Sequence, residues 1–177
     1  MLTDNEFIVK AKKIKLLIMD VDGVLTGGLI MLDNQGNEFK AFHVRDGHGI
    51  KMAQRAGLKV AIITGRESNV VKLRAKELGI EHVYQRSFDK LATYREMLMK
   101  LGLTDEEAAF IGDDIVDIPV MSRVGLSFAV ADAEPYVKDV AQIVTVRKGG
   151  YGAVREIIDG LLKARGDWEI VTAKYFS

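Results

Sequence analysis

Short apolar runs alternate with segments of helical spacing along nearly the whole chain, and that alternation constrains the fold more than any other feature. The runs are Ile14–Met19, Leu58–Ile63, His82–Tyr84, Ala108–Ile111, Leu126–Val130 and Gln142–Val146. Bounded by turn residues, they read as strands buried on both faces. Between them, Gly47–Ala56, Ser68–Leu78, Lys90–Leu101, Ile115–Val124 and Gly152–Lys163 have helical periodicity, with glycine at 57, 79, 102 and 125 as stops. The pattern predicts an α/β fold: a doubly wound, Rossmann-like parallel sheet with helices on both faces. A chain of 177 residues suits one such domain, 1–177, and leaves little for a second.

One insertion breaks the rhythm. From Gly28 to Val44, two extended runs flank Asp33-Asn34-Gln35-Gly36, a hairpin signal with a longer loop. The first arm, Leu29-Ile30-Met31-Leu32, is apolar on both faces, so something must cover its second face. Pro119 and Pro135 are expected in or beside turns.

Composition removes several function classes. The 25 basic and 25 acidic residues cancel, so no global field points to nucleic acid or a membrane surface, and any anion site must be local. With no cysteine there is no disulfide, thiolate metal site or cysteine nucleophile. The segment MLTDNEFIVKAKKIK lacks a signal-peptide core, and no run approaches the ~20 apolar residues of a membrane span. These readings predict a soluble, cytoplasmic protein with no nucleic-acid or membrane partner.

In open parallel sheets ligands bind beyond the carboxyl ends of the strands. Asp20 and Asp22 follow the first strand, Thr64-Gly65-Arg66 the second, and Gly112-Asp113-Asp114 with Asp117 the fourth, while Lys90 opens the helix before that fourth strand. Each alone has an ordinary explanation. A lone strand-end Asp, such as Asp113 or Asp114, is usually a helix cap, and a lone Lys is usually solvated. Together they place like charges in one partly buried place, which a fold tolerates mainly when a cation neutralises them. Oxygen ligands without His or Cys point to Mg²⁺, and Mg²⁺ bridging carboxylates points to phosphate chemistry. The chemistry then assigns roles. Asp20 attacks phosphorus, Asp22 exchanges a proton with the leaving alkoxide and the hydrolytic water, and Gly23 lets the chain turn there. Thr64 and Lys90 hold phosphoryl oxygens. Asp20, the Asp22 carbonyl and Asp113 hold the metal, with Asp114 and Asp117 in support.

The motifs Asp20 to Thr26 (DVDGVLT), Ile63 to Arg66 (ITGR), Asp89-Lys90 and Gly112 to Asp117 (GDDIVD) resemble, in order and spacing, those of the haloacid dehalogenase superfamily of phosphatases. Phe42 to Gly49, Asp117 to Met121, Ala129 to Ala133 and Gly149 to Glu156 narrow the resemblance to a capless branch, over about residues 12 to 165. The resemblance implies the same roles for Asp20, Asp22, Thr64, Lys90 and Asp113, with Mg²⁺ as cofactor. It also implies an eight- or nine-carbon 2-keto sugar phosphate as substrate. The 8-phosphate of 3-deoxy-D-manno-octulosonate comes first and the 9-phosphate of a sialic-acid-like sugar second. The residues between the motifs are taken up by the hairpin, helices and strands, leaving no room for a cap domain. The resemblance accordingly implies a homotetramer whose packed hairpins close neighbouring sites.

Gly65, Arg66, Arg45 and His48 are candidates for the rest of the substrate, although His43 and His48 read equally well as ordinary packed or exposed histidines. Arg147 to Gly152 is either a basic strand reaching an adjacent subunit or an ordinary Gly-rich helix entry. The tail, 166–177, carries no signature. Two other classes compete: a phosphorylation-switched receiver, whose order of acidic pair, acceptor and Lys differs from this one, and a catalytically idle oligomerisation module.

Overall fold

A computed structural model describes residues 2–176; Ser177, the end of the expected tail, lies outside the described residues. The chain opens with helix α1 (Asp4–Ala11), which the periodicity did not reveal. It is set by a capping box in which Thr3 and Glu6 satisfy each other's backbone amides. Strand β1 (Leu16–Met19) follows, and then the hairpin strands β2 (Met31–Leu32) and β3 (Glu38–Phe39). The hairpin pairs over only two residues on each arm, and Asp33 closes its loop by accepting from the amides of Gln35 and Asn37.

Next come α2 (Val44–Arg55), β4 (Lys59–Ile63), α3 (Asn69–Leu78), β5 (His82–Tyr84), α4 (Lys90–Leu101) and β6 (Ala108–Gly112). The chain finishes with α5 (Ile118–Met121), β7 (Leu126–Ala129), α6 (Pro135–Val140), β8 (Ile143–Val144), α7 (Ala153–Arg165) and α8 (Trp168–Thr172). Two expectations need correction. Helix α2 starts three residues before Gly47, at Val44. The helix expected over Ile115–Val124 is a 3-10 turn, Ile115–Asp117, followed by the single turn α5, because the Asp114 and Asp117 side chains bind the local amides and Pro119 can only enter a helix's first turn. Pro135 likewise sits at the start of a short helix, α6, that the apolar pattern did not mark.

The main sheet has six strands in the order β5-β4-β1-β6-β7-β8, all parallel. Every residue of β1 is buried, as a central strand paired on both edges and covered on both faces must be. Burying each such side chain contributes about 1.5–3 kcal/mol. The chain leaves β1 toward β4 and β5, then returns across the sheet to β6 and continues to β7 and β8. Because parallel crossovers are right-handed, reversing direction moves the helices to the opposite face. A crevice therefore opens at the carboxyl ends of β1 and β6, where the direction switches. Helix α7 packs against α2, burying Val154, Ile157, Ile158, Leu161 and Leu162. Among the described residues no cap domain interrupts these connections.

Candidate active site

Register aligns the strand ends. Met19 stands opposite Ile62 on β4 and Ile111 on β6, so Asp20 is level with Ile63 and Gly112, one residue short of Thr64 and Asp113. The Asp20 amide continues the ladder by donating to the Ile111 carbonyl at 3.1 Å. Lys90 arrives from the first residue of α4, whose N-cap is Asp89, accepting from the Ala92 amide at 2.9 Å.

These residues form one buried network. Lys90 Nζ donates to Asp117 Oδ1 at 2.7 Å and lies 3.0 Å from Asp20 Oδ1. That second contact is an ion pair off the line of a hydrogen bond, leaving Asp20 Oδ1 without an aligned donor. Asp117, fully buried, also accepts from the amides of Asp113 (3.0 Å) and Asp114 (3.3 Å) through Oδ2. Asp114 accepts from the Ile115 amide at 2.6 Å, a local cap role. Asp113 does not cap: its buried Oδ1 has no partner among the described residues. Gly23, at φ +96°, is pressed against the Asp113 carboxylate so closely that a Cβ there would overlap it.

Electrostatics follow the geometry. Burial, with Asp20 and Asp117 adding to it, pushes the Asp113 carboxyl up to about 8. Burial likewise pushes Asp20 up to about 6, against the pull of Lys90. For Lys90, burial opposes the charge, but Asp20 and Asp117 outweigh it and hold the pKa above its ordinary value. One oxygen each from Asp20, Asp113 and Asp117 lies within 4.8 Å of the others. Asp117 is already committed at both oxygens, so Asp20 and Asp113 are the free donors. Unmatched hard oxygens in a carboxylate cluster fit a divalent cation such as Mg²⁺.

The structure brings Asp20, Lys90, Asp113 and Asp117 into contact, with Asp22 on the β1 turn and buried Thr64 beside them at the sheet edge. Arg66, in the loop after β4, is held by Glu38 at 2.9 Å. Arg45 is exposed on the first turn of α2, and His48 is tied up by the Tyr175 hydroxyl at 3.0 Å; neither joins the cluster. His43 precedes α2, its Nδ1 buried and without a partner among the described residues. Arg147 to Gly152 is the helix entry rather than a free strand. The Gly149 amide donates to Asp132 at 2.9 Å, the Gly150 amide to the Val24 carbonyl at 2.8 Å, and the space a Cβ would take at Gly149 is filled by the Gly23 carbonyl.

Sequence reasoning missed Lys40 and Glu38. Lys40 forms a close ion pair with Asp22, and Glu38 accepts from Arg66 and from the Ser68 hydroxyl. The Glu38-Phe39-Lys40 alternation does put both charges on one face, but that face points into the site while Phe39 is 56% exposed.

The chain is similar to proteins of known activity. The haloacid dehalogenase-like hydrolase profile matches residues 81–158. The chain is 52% identical to 3-deoxy-D-manno-octulosonate 8-phosphate phosphatase KdsC of Escherichia coli K12 over 161 residues, 91% of this chain and 86% of that one. The crystal structure of the Yersinia pestis 3-deoxy-D-manno-octulosonate 8-phosphate phosphatase superposes with a TM-score of 0.92 at 51% identity, covering 93% of this chain and 89% of that chain. The Moraxella catarrhalis phosphatase, solved with a magnesium ion, phosphate and KDO, gives 0.94 at 41% identity over 97% and 98% of the two chains. Identity at this level over nearly the full length removes the receiver reading, and the chain belongs to the 3-deoxy-D-manno-octulosonate 8-phosphate phosphatase family of haloacid dehalogenase-like hydrolases.

Proposed function

We propose that the chain hydrolyses 3-deoxy-D-manno-octulosonate 8-phosphate to the free sugar acid and phosphate, a step that supplies lipopolysaccharide synthesis. The carrying observation is the pairing of buried Asp20 with half-buried Asp113, whose Oδ1 is buried without a partner among the described residues, and Lys90 beside Asp20. In this reading an Asp20 oxygen attacks phosphorus and the P–O bond to the sugar breaks, with Asp22 giving its proton to the departing oxygen. Water then attacks the aspartyl-phosphate as Asp22 takes a proton back, releasing phosphate and restoring Asp20. Lys90, held in place by Asp117, and the Thr64 hydroxyl bind phosphoryl oxygens; Gly65 leaves room for them, and Arg66 meets the substrate carboxylate. Asp20, Asp113 and the Asp22 carbonyl would hold Mg²⁺, which supplies positive charge to offset that of the phosphate.

Three further readings belong to the same proposal. Residues 1–177 act as one catalytic domain, with the hairpin at 28–44 and the tail at 166–177 as appendages. The protein works in the cytoplasm; no helix among the described residues is long and apolar enough to cross a membrane. It assembles as a homotetramer through the hairpins, supported by the exposure of Leu29, Ile30, Met31, Leu32 and Phe39.

The test is phosphate release from 3-deoxy-D-manno-octulosonate 8-phosphate, a sialic-acid-type 9-phosphate and glucose 6-phosphate, each with Mg²⁺ or with chelator. The 8-phosphate is expected to lead in kcat/KM, by about 100-fold over glucose 6-phosphate, which lacks the carboxylate, and by about 10-fold over the 9-phosphate, which shares the carboxylate and differs in length. Equal turnover of all three sinks the substrate assignment.

A further inference from the structure

Lys40 is a buried cation to which the steps above give no work. Its side chain is 1% exposed although it stands just past the end of a short surface hairpin. Its Nζ makes a close ion pair with Asp22 Oδ1 and lies 3.4 Å from Glu38 Oε1. Glu38 in turn accepts from Arg66 at 2.9 Å through Oε1 and from the Ser68 hydroxyl through Oε2. Ser68 is itself buried, and its amide donates to the Gln85 side chain at 2.5 Å. A continuous run of charged and hydroxyl groups thus joins the turn after β1 to the loop after β4, and its middle members belong to the hairpin.

Burying an ammonium costs several kcal/mol unless carboxylates compensate it, so Lys40 is not an idle occupant of this position. Lys40 is also the only hydrogen-bond partner of the Asp22 carboxylate among the described residues. A carboxylate on a turn, with part of its surface in water, otherwise samples several rotamers. Proton transfer requires it within hydrogen-bond reach of one oxygen.

We propose that Lys40 is a positioning residue for Asp22: the hairpin carries it over the site, Glu38 anchors it to the loop after β4, and its contact with Asp22 Oδ1 fixes the carboxyl group, which in its protonated form gives its proton to the departing sugar oxygen through the other oxygen. The inference rests on the reading of Asp22 as proton donor. It also gives the hairpin a function besides assembly, because the arm that exposes Phe39 on one side presents Glu38 and Lys40 on the other.

A proton donor matters for a poor leaving group and hardly at all for a good one, which separates this role from a merely structural one. The experiment compares kcat/KM on 3-deoxy-D-manno-octulosonate 8-phosphate, which loses an alkoxide, with kcat/KM on p-nitrophenyl phosphate, which loses a stable phenolate. Asp22→Asn sets the reference, with a loss of about 10³-fold on the sugar phosphate and under about 10-fold on the aryl phosphate. Lys40→Met is expected to lose about 30- to 100-fold on the sugar phosphate and under about 3-fold on the aryl phosphate, with Lys40→Arg recovering most of the difference. Equal losses on both substrates with Lys40→Met overturn the proposal while leaving Asp22 as donor. If Asp22→Asn itself fails to discriminate, the donor reading falls and this inference with it. Should Lys40→Met lack a folded thermal transition, Glu38→Gln decides instead, since it unties Lys40 from the loop after β4 and keeps its charge. A loss of about 5- to 10-fold confined to the sugar phosphate supports the proposal, and no loss or a uniform one overturns it.

Discussion

Replacing Asp117 with Asn changes one oxygen to NH₂ in a side chain with no solvent exposure, and the structure dictates what that does. Asp117 accepts three times: from Lys90 at 2.7 Å, and from the Asp113 and Asp114 amides at 3.0 and 3.3 Å. An amide can keep its oxygen on the backbone donors only by turning NH₂ toward the Lys90 ammonium, and the reverse flip sets NH₂ against two N–H groups. Removing one partner of a buried ion pair costs about 3–5 kcal/mol when the remaining charge is left alone. Here Lys90 keeps Asp20 at 3.0 Å, and losing the Asp117 charge relieves its repulsion of Asp20, so about 2 kcal/mol is expected. At roughly 2–4 °C per kcal/mol for a chain of this size, Asp117→Asn should melt about 4–8 °C lower. The assay is a thermal and urea melt of the metal-free protein at pH 7, with exposed Asp114→Asn as control. Asn caps as well as Asp, so the control should move by under about 0.5 kcal/mol. An unchanged or raised melting temperature for Asp117→Asn refutes the reasoning, because it means that repulsion among the carboxylates outweighs the Lys90 pair.

Three other outcomes are expected. Asp20→Asn should reduce phosphate release by at least about 10³-fold, and near-normal turnover removes Asp20 as nucleophile. With Asp113 pushed up to about 8 chiefly by burial, Mg²⁺ has to displace a proton at lower pH, so its apparent affinity by titration calorimetry should rise about tenfold per unit from pH 6 toward 8 and then level off. The same carboxyl, raised on folding, favours the native state below its ordinary 3.8 and loses that contribution as pH rises toward about 8. Metal-free protein should therefore lose stability between pH 6 and 8 and regain it with Mg²⁺, whereas a pH-independent affinity contradicts the assignment. Leu32→Asp, on the exposed hairpin arm, should convert an assembled species to monomer on a sizing column; a wild type already monomeric in dilute buffer discards the shared-site argument.

Much of this protein is legible in one dimension because local chemistry leaves few options. A run such as Leu16–Met19 has no polar face, so it must be covered on both sides, and Asp20 and Asp22 can only stand where that strand ends. Once strands and helices alternate, the switch-point rule collects Asp20, Thr64 and Asp113 at one edge without any contact being known. The short elements resisted for local reasons. The segment after Asp114 looks helical by periodicity, yet its carboxylates bind the local amides before a helix can propagate.

What the tertiary structure alone decided is which side of each element meets water. Alternation places Glu38 and Lys40 on the same side of β3, and the default expectation turns charges outward. The fold turns them inward onto Asp22, Arg66 and Ser68 and leaves Phe39 and the Leu29–Leu32 arm outside. In the same way Asp113 and Asp114, adjacent and identical, part company. One accepts from its own neighbouring amide, while the other faces Asp20 across the sheet with an oxygen unmatched. A sequence period states which side chains share a face, whereas the burial and charge of that face depend on what the rest of the chain lays across it.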